Sequence, residues 1–485
     1  MKLFSLRLTT LKSKLFAIVF ASLIVRFIAF FLLPSNPTVA LAPDEGGYAE
    51  IVRLILNDQL NAPYQGLYFI SRPLVLPATA LHNIGIEPLS SVRIIASMYG
   101  ALTLILMAFL IIKCVNKYST YYSELTLKRS NLIIGLFFVF AFLPSHFLWS
   151  TLGLRESPME FWVLCSLAAI FLAVNLQEKV TVTSAFLLTI SIVLLFNTRP
   201  QVAWVLTVTI FIFLVFSNKR RVAVVLALLT LMASGVGYAS VVLQKHDLFE
   251  LVATDASATD VSATDVSATD ASATDASATD ASATDASATD ASACKDSNQI
   301  IVLQGKEYKC IKTGTKRDLY DLQNPGRIIV EETSAIPDRH KGNQVAAASA
   351  IQTLSCPVTE ESEPDKYFCL AWRSPYMAAT FLFRPLIGID TTSASSLFAS
   401  IENIAWLGAF VFIIIMFIKK RRLAFIGPLA PSLIFFILYC VGAGSYEGNM
   451  GTAFRHKSLI LWVILLLLAS VIFAEERPKS RNESA

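Results

Sequence analysis

The chain has 485 residues, of which 54% are hydrophobic and only 16% are charged, and its mean hydropathy is +0.58. A soluble globular protein of this length carries more charge and less apolar surface. The composition therefore excludes that class and predicts a multipass membrane protein. The formal net charge is only +4, and we expect membrane lipids rather than nucleic acid as partners.

Ten apolar stretches approach the length of about 20 residues that a helix needs to cross a bilayer. They lie near 14–33, 91–113, 131–148, 158–176, 182–197, 200–217, 222–244, 398–418, 423–442 and 458–474. The predicted fold is an all-α polytopic membrane protein with about ten transmembrane helices, interfacial helices at the outer face and one small extracytoplasmic domain.

Basic residues predict how these helices are oriented. Lys and Arg cluster at 2–14, 113–129, 219–221, 419–422 and 477–481. With ten spans these clusters share one side, so the positive-inside rule places both termini in the cytoplasm, with the plasma membrane as the location. The loop 245–397 is then extracytoplasmic. A signal peptide cleaved after "ALA" at Ala40 to Ala42 is the alternative, but the preceding apolar run is longer than usual for one.

Composition divides the chain into four parts. Residues 1–244 and 376–485 form two transmembrane modules. Between them, 245–293 is a predicted spacer in which the unit ATDAS repeats eight times from Ala253 to Ser292, with valine in place of its second alanine at Val261 and Val266. The repeat has no large apolar side chain to bury, so we expect a flexible acidic linker, although its hydroxyl groups could also accept sugars.

Residues 294–375 read as a small outer domain braced by disulfides. Four cysteines fall in this region, where an oxidising compartment permits two bridges in three possible pairings: Cys294, Cys310, Cys356 and Cys369. The alternative is four free thiols. The stretch "NQIIVLQGKEYKCIKT" predicts a short hairpin, and "GNQVAAASAIQTL" predicts a helix.

The stretch "APDEGGYAEIVRLI" follows the first apolar segment and contains the adjacent acids Asp44 and Glu45. The apolar residues after them fall on one face of a helix, which predicts a helix lying along the membrane surface. Asp44 could be a simple N-cap. The glycines that follow instead favour a site where something approaches the backbone closely.

Other predicted outer ends carry ionisable residues inside Pro-rich or Gly-rich breaks. The positive-inside rule makes arginine unexpected there, and broken helices with charges are tolerated where they line a cavity. Arginine binds phosphate through charge-assisted hydrogen bonds, so the set predicts a site for a phosphate-bearing ligand. Its members are Arg72, Arg155, Glu156, Arg199, Arg384, Glu447, Arg455 and His456.

The motifs "PDE", "YAEIVR", "RPLVLP" and "LRES" together resemble membrane glycosyltransferases of the GT-C class. The nearest likeness is to the branch with protein O-mannosyltransferases and lipid A aminoarabinose transferases, mainly over residues 1–240. The resemblance implies transfer of a sugar from a polyprenyl-phosphate carrier to an acceptor hydroxyl at the outer face, where the acceptor is a protein, a lipid or a polysaccharide. It further implies Asp44 as the catalytic carboxylate that deprotonates the acceptor, with Glu45 assisting and Arg199 or Arg455 holding the lipid phosphate.

The sequence names no cofactor. It contains neither a GxGxxG nor a P-loop pattern, and no His/Cys spacing typical of a metal site, which leaves open a divalent cation held by carboxylates. Two other functions stay possible. A lipid or polysaccharide transporter or flippase would place ionisable residues near the middle of the bilayer, with Arg26 as the main candidate. A non-catalytic envelope assembly protein would leave the acids without a role.

Overall fold

The structure is a computed structural model. It describes residues 2–33, 43–57, 67–119, 127–176, 180–217, 220–258, 300–303, 306–313, 316–321, 328–330, 363–387, 394–420, 429–446 and 450–473.

Helices dominate the described part of the chain. They are α1 (Lys2–Leu32), α2 (Pro43–Leu56), α3 (Arg72–Asn83), α4 (Pro88–Ser119), α5 (Leu127–Phe142), α6 (Pro144–Thr151), α7 (Glu156–Phe171), α8 (Val182–Phe196), α9 (Pro200–Phe216), α10 (Arg220–Ala258), α11 (Glu363–Phe383), α12 (Ala394–Lys420), α13 (Ala430–Tyr446) and α14 (Met450–Phe473). A π-helical turn, Leu172–Leu176, extends α7.

Five helical segments are long and apolar enough to span a membrane: Thr10–Leu32, Pro88–Lys113, Glu156–Val174, Arg220–Val241 and Leu397–Met416. The pair α5 and α6 would make a sixth if it is one broken span, and α8, α9 and most of α13 are shorter apolar helices. This pattern is consistent with a multipass membrane protein. Each of the ten predicted segments overlaps a helix in the part of the chain that the structure describes, while the number of spans and their orientation stay predictions.

Proline sets where several helices begin. Pro43, Pro88, Pro144 and Pro200 each open a helix, a position where the missing N–H group would have no partner in any case. Pro144 also breaks a span. A residue before proline avoids the helical region, and Leu143 is extended at φ −63° and ψ 138°. The chain therefore bends by 43° between α5 and α6.

The helix α7 lies at the centre of the bundle. In the most apolar stretch of its span, 83% of the residues are buried. The large hydrophobic cluster around α7 also includes the fully buried Trp462 of α14. Ionisable residues on α7 and α14 are consequently held away from the lipid-facing surface.

The predicted amphipathic helix is confirmed. Tyr48, Ile51 and Val52 of α2 are fully buried, whereas Arg53 on the opposite face is exposed and pairs with Glu50. The buried face packs against α3, α4 and the turn after α6 in a second hydrophobic cluster. This packing fixes where the acids at the start of α2 lie.

The last described helix before the repeat overlaps the predicted spacer 245–293. The helix α10 continues to Ala258 and includes the first ATDAS unit, because extending an existing helix costs far less than nucleating one and the unit is rich in alanine. Residues 259–299, which hold the other repeats and Cys294, lie outside the described residues.

The predicted hairpin is confirmed as part of a larger antiparallel sheet. The strands β1 (Ile300–Leu303), β2 (Lys306–Thr313), β3 (Lys316–Asp321) and β4 (Ile328–Val330) pair in chain order. Ile301 faces Tyr308, and Leu319 faces both Cys310 and Ile329. The predicted helix and Cys356 lie outside the described residues, as do the side chains of Cys310 and Cys369, so the disulfides stay a prediction.

Candidate functional site

One arginine of the last helix joins two carboxylates from distant parts of the chain. Arg455 Nη1 on α14 donates a hydrogen bond to Asp44 Oδ2 at 2.7 Å across 411 residues. Its Nε lies 2.9 Å from Glu156 Oε1 at the start of α7, close enough for an ion pair but without hydrogen-bond alignment. The Asp44 side chain is 28% exposed, whereas that of Glu156 is 1% exposed. Asp44 is therefore the carboxylate that a ligand can reach.

Two more side chains complete this group. His456 Nε2 lies 3.6 Å from the Glu156 carboxylate, and Arg199 Nη1, at the turn before α9, contacts the same nitrogen. Arg199 and His456 therefore meet at the same place as the Glu156 carboxylate. We call Asp44, Glu156, Arg199, Arg455 and His456 the Asp44 cluster.

Two buried residues flank the Asp44 cluster. Burial raises the pKa of the Tyr48 phenol above its usual range, so this hydroxyl stays protonated. Burial also opposes the charge on Arg155, but neighbouring anionic groups outweigh it and hold its pKa above the ordinary value: Tyr48 where it ionises, and the Glu156 carboxylate. Arg155 is only 8% exposed, and its Nε has no hydrogen-bond partner.

The cluster brings cationic groups close to its two carboxylates. Arg155 and Arg455 lie beside Asp44 and Glu156, and Arg199 contacts His456. The Nε–H of the buried Arg155 has no hydrogen-bond partner, and a buried donor without a partner costs free energy. An anionic ligand at Arg155 would supply that partner.

Glu45 lies apart from the cluster. It is fully buried, its two oxygens accept hydrogen bonds from Nε and Nη2 of Arg93 on α4, and Oε1 also accepts the Gly153 N–H at 3.1 Å. Its assisting role in chemistry stays a prediction, and these contacts tie α2 to α4 and to the turn before α7. They suit a residue that positions Asp44.

The helix start also bears on the alternatives for Asp44 and the glycines. Because α2 begins at Pro43, Asp44 lies in the first turn of the helix and is not the N-cap residue that precedes it. A Cβ atom on Gly47 would lie 3.0 Å from the Leu67 side chain. The close approach at Gly47 is therefore made by the protein itself.

A second polar layer surrounds α6. His146 Nδ1 lies 3.2 Å from both oxygens of Glu160, and its ring stacks on Phe140. Arg26 of α1 is buried and donates through Nε to Ser150 Oγ at 3.1 Å. These charged groups lie inside candidate spans, where they find their partners on the short helix created by the proline break.

A third group joins α6 and α14 to the chain around α12. Glu402 accepts the Ser145 N–H and the Trp406 Nε1–H, each at 3.0 Å. Lys457 is fully buried and donates through Nζ to the Arg384 carbonyl and, at 3.1 Å, to Asn403 Oδ1. These bonds lock the segment after α11 against the last helix.

The predicted site residues thus divide. Five form the Asp44 cluster, and Arg155 flanks it. Arg72 lines a separate cleft, and the Arg384 carbonyl meets Lys457. Glu447 lies outside the described residues.

Sequence reasoning did not select Tyr48, Arg93, Glu160 or Lys457 as site residues. One signal was available, since Arg93 and Glu160 are charged residues within predicted spans, where charge is rare and functional or paired.

The described residues contain no group of three or more His, Cys, Asp or Glu side chains arranged to hold a metal ion. Comparison of the chain with known protein families, with curated proteins and with solved structures finds no match.

Proposed function

We propose that the protein is an integral membrane glycosyltransferase that moves a hexose or pentose from a polyprenyl-phosphate carrier to an acceptor hydroxyl at the extracytoplasmic face. The observation that carries this proposal is the partly exposed Asp44 carboxylate, close to the buried Arg155 guanidinium group, whose Nε–H has no hydrogen-bond partner. The reaction needs a base next to cationic groups. The base takes a proton from the acceptor hydroxyl, and the cationic groups stabilise the negative charge that develops on the leaving phosphate.

Asp44 acts as the general base in this proposal. The acceptor O–H bond breaks, its proton goes to Asp44, and its oxygen forms the new bond to the anomeric carbon. The bond between that carbon and the phosphate oxygen breaks, and its electron pair stays on the lipid phosphate. Arg455 orients Asp44, and Glu156 holds Arg455 in place from the other side.

The leaving phosphate gains negative charge, which a poorly hydrated cavity stabilises only through fixed cations. Arg155 suits this role best, because it is buried and its Nε has no partner. Arg199 and Arg455 already contact His456, Asp44 and Glu156. They would add long-range stabilisation or exchange partners when the donor binds.

A transporter or flippase is the second candidate, and one observation favours it. Arg26, Glu160 and Glu402 are buried within candidate spans, as a path for a polar substrate would require. All three, however, contact α6 or lie against its residues Ser145, His146 and Ser150. They gather at one end of the bundle instead of being distributed along a path across it.

The test is glycosyl transfer in membranes expressing the full chain, with a pool of labelled polyprenyl-phosphate sugars. We expect Asp44→Asn to lower transfer by about 100-fold or more, as for loss of a general base. Arg155→Gln should lower transfer with an unchanged acceptor KM. The matched control is Glu50→Gln, which removes a carboxylate from the exposed face of the same helix.

Protein level and melting temperature are compared for each variant. If Asp44→Asn transfers sugar at the wild-type rate, Asp44 is not the general base and its role is structural. If the wild type transfers no sugar from any donor while it moves labelled lipid across the membrane, the transporter replaces the enzyme.

A further inference from the structure

A cleft separate from the Asp44 cluster lies beside α3. Its volume is about 360 Å³, within the range of roughly 300–1,000 Å³ typical of small-molecule sites. Its walls come from the first two turns of α3, from Tyr99 of α4, and from Leu194 and Asn197 at the end of α8. We call it the Arg72 cleft.

Arg72 places one positive charge in this cleft. Its guanidinium carbon lies over the rings of Tyr68 and Phe69, at 5.0 and 4.6 Å from their centroids. Aromatic contact orients the flat guanidinium group and leaves its donors at the edges. The Nε–H is buried and has no hydrogen-bond partner.

The rest of the cleft is mainly apolar. Leu76 and Pro77 follow Arg72 along α3, and Leu194 faces them from α8. Leu76 is 47% exposed, so an apolar side chain lies open at the margin of a cleft in a membrane protein. A hydrocarbon chain would cover it.

The hydrogen-bond donors of Tyr99 and Asn197 on the other walls are already engaged. Tyr99 donates its hydroxyl proton to the Pro73 carbonyl at 3.1 Å. Asn197 Nδ2 donates to the Val193 carbonyl at 2.9 Å and to Ser240 at 3.2 Å. Recognition of a polar headgroup in the cleft therefore falls to Arg72.

We propose that the Arg72 cleft binds one anionic membrane amphiphile, with its phosphate on Arg72 and its hydrocarbon chain along Leu76, Pro77 and Leu194. The chemistry is shared by an anionic phospholipid and by an isoprenoid phosphate. This binding does not depend on the transfer reaction, because it requires only the cleft, its positive charge and a surrounding membrane.

Binding is measured on the purified full chain in neutral detergent micelles, by energy transfer from tryptophan to dansyl-labelled phosphatidylglycerol. Trp162 packs against Tyr99 and supplies a donor near the cleft. We expect saturable binding that Arg72→Gln weakens about tenfold, since it removes a charge-assisted contact. Leu76→Gln should weaken it too, by placing a polar group on the path of the chain.

Arg53→Gln is the matched control, because it removes an exposed guanidinium group from the neighbouring helix α2. Arg72→Lys keeps the positive charge. Comparing its binding and the melting temperature of each variant with those of Arg72→Gln shows whether Arg72→Gln has lost binding or has failed to fold. Competition then separates the sources. Displacement by farnesyl phosphate at lower concentration identifies an isoprenoid phosphate, and displacement by unlabelled phosphatidylglycerol identifies a phospholipid.

Three results would overturn the proposal. One is binding that does not saturate, as expected if Arg72 only anchors the helix at the interface. Another is equal affinity in Arg72→Gln and the wild type. The third is displacement by phosphatidylcholine as readily as by the anionic competitors.

Discussion

Asp44 and Glu45 are neighbours in sequence with different surroundings. Asp44 lies partly open beside Arg455, while Glu45 is fully buried against Arg93 and Gly153. Successive residues of a helix point about 100° apart, so one can face a site while the other faces the packing between helices. The pair therefore combines a candidate base with a residue that holds the base in place.

We predict that Glu45→Gln destabilises the protein, because it removes the negative charge that two nitrogens of Arg93 bind in a buried site. Breaking one partner of a buried pair costs on the order of 3 kcal/mol, which a lowered melting temperature in detergent would report. Glu50→Gln, whose ion pair with Arg53 is exposed, should shift the melting temperature little.

Replacing both buried partners, in Glu45→Leu with Arg93→Leu, should recover part of the loss, since no charge is then left unpaired. A single Glu45→Gln variant as stable as the wild type would show that the pair contributes little. The Glu45–Arg93 pair would then not be what holds α2 in place.

At the scale of elements, two breaks build the interior of the site. Pro144 ends α5 and starts α6, which turns Ser145, His146 and Ser150 toward partners on other helices. The turn at Gly153 then lets the chain pass close to α4 before α7 begins. A Cβ atom at Gly153 would lie 2.6 Å from Val92 Cγ1.

We predict that Gly153→Ala destabilises the protein and that Val92→Ala in the same chain partly rescues it, because the collision is with that side chain. The matched control is Gly135→Ala in α5, where a Cβ atom would meet nothing within 4 Å. That change should be neutral or stabilising by up to about 1 kcal/mol. Equal melting temperatures for Gly153→Ala and Gly135→Ala would contradict the packing argument.

At the scale of the whole molecule, the first loop and the last helix meet. The hydrogen bond from Arg455 to Asp44 closes a separation of 411 residues. Since α7 lies between them and supplies Glu156, both predicted transmembrane modules contribute to one site. The repeat and the small sheet lie between these modules in sequence, so they are an insertion between two parts of the same site.

The predicted orientation places that insertion on the extracytoplasmic side of the membrane, which can be tested. Alkaline phosphatase fused after Ser272, in the repeat, should be active if the loop 245–397 is extracytoplasmic, because the enzyme needs an oxidising compartment for its disulfides. The same enzyme fused at the C-terminal end should be inactive. Activity at both positions, or at neither, would refute the ten-span topology.

The sequence by itself determined the membrane class, the helical segments, the buried face of α2 and the hairpin, because these follow from local composition and periodicity. It also singled out Asp44, Glu156, Arg199, Arg455 and His456 by residue type. Only the tertiary structure decided which of the selected arginines share a site. It grouped Arg155 and Arg455, set Arg72 in a separate cleft and paired Glu45 with Arg93. The physical reason is that helix packing sets distances between residues far apart in the chain, and a local pattern carries no information about those distances.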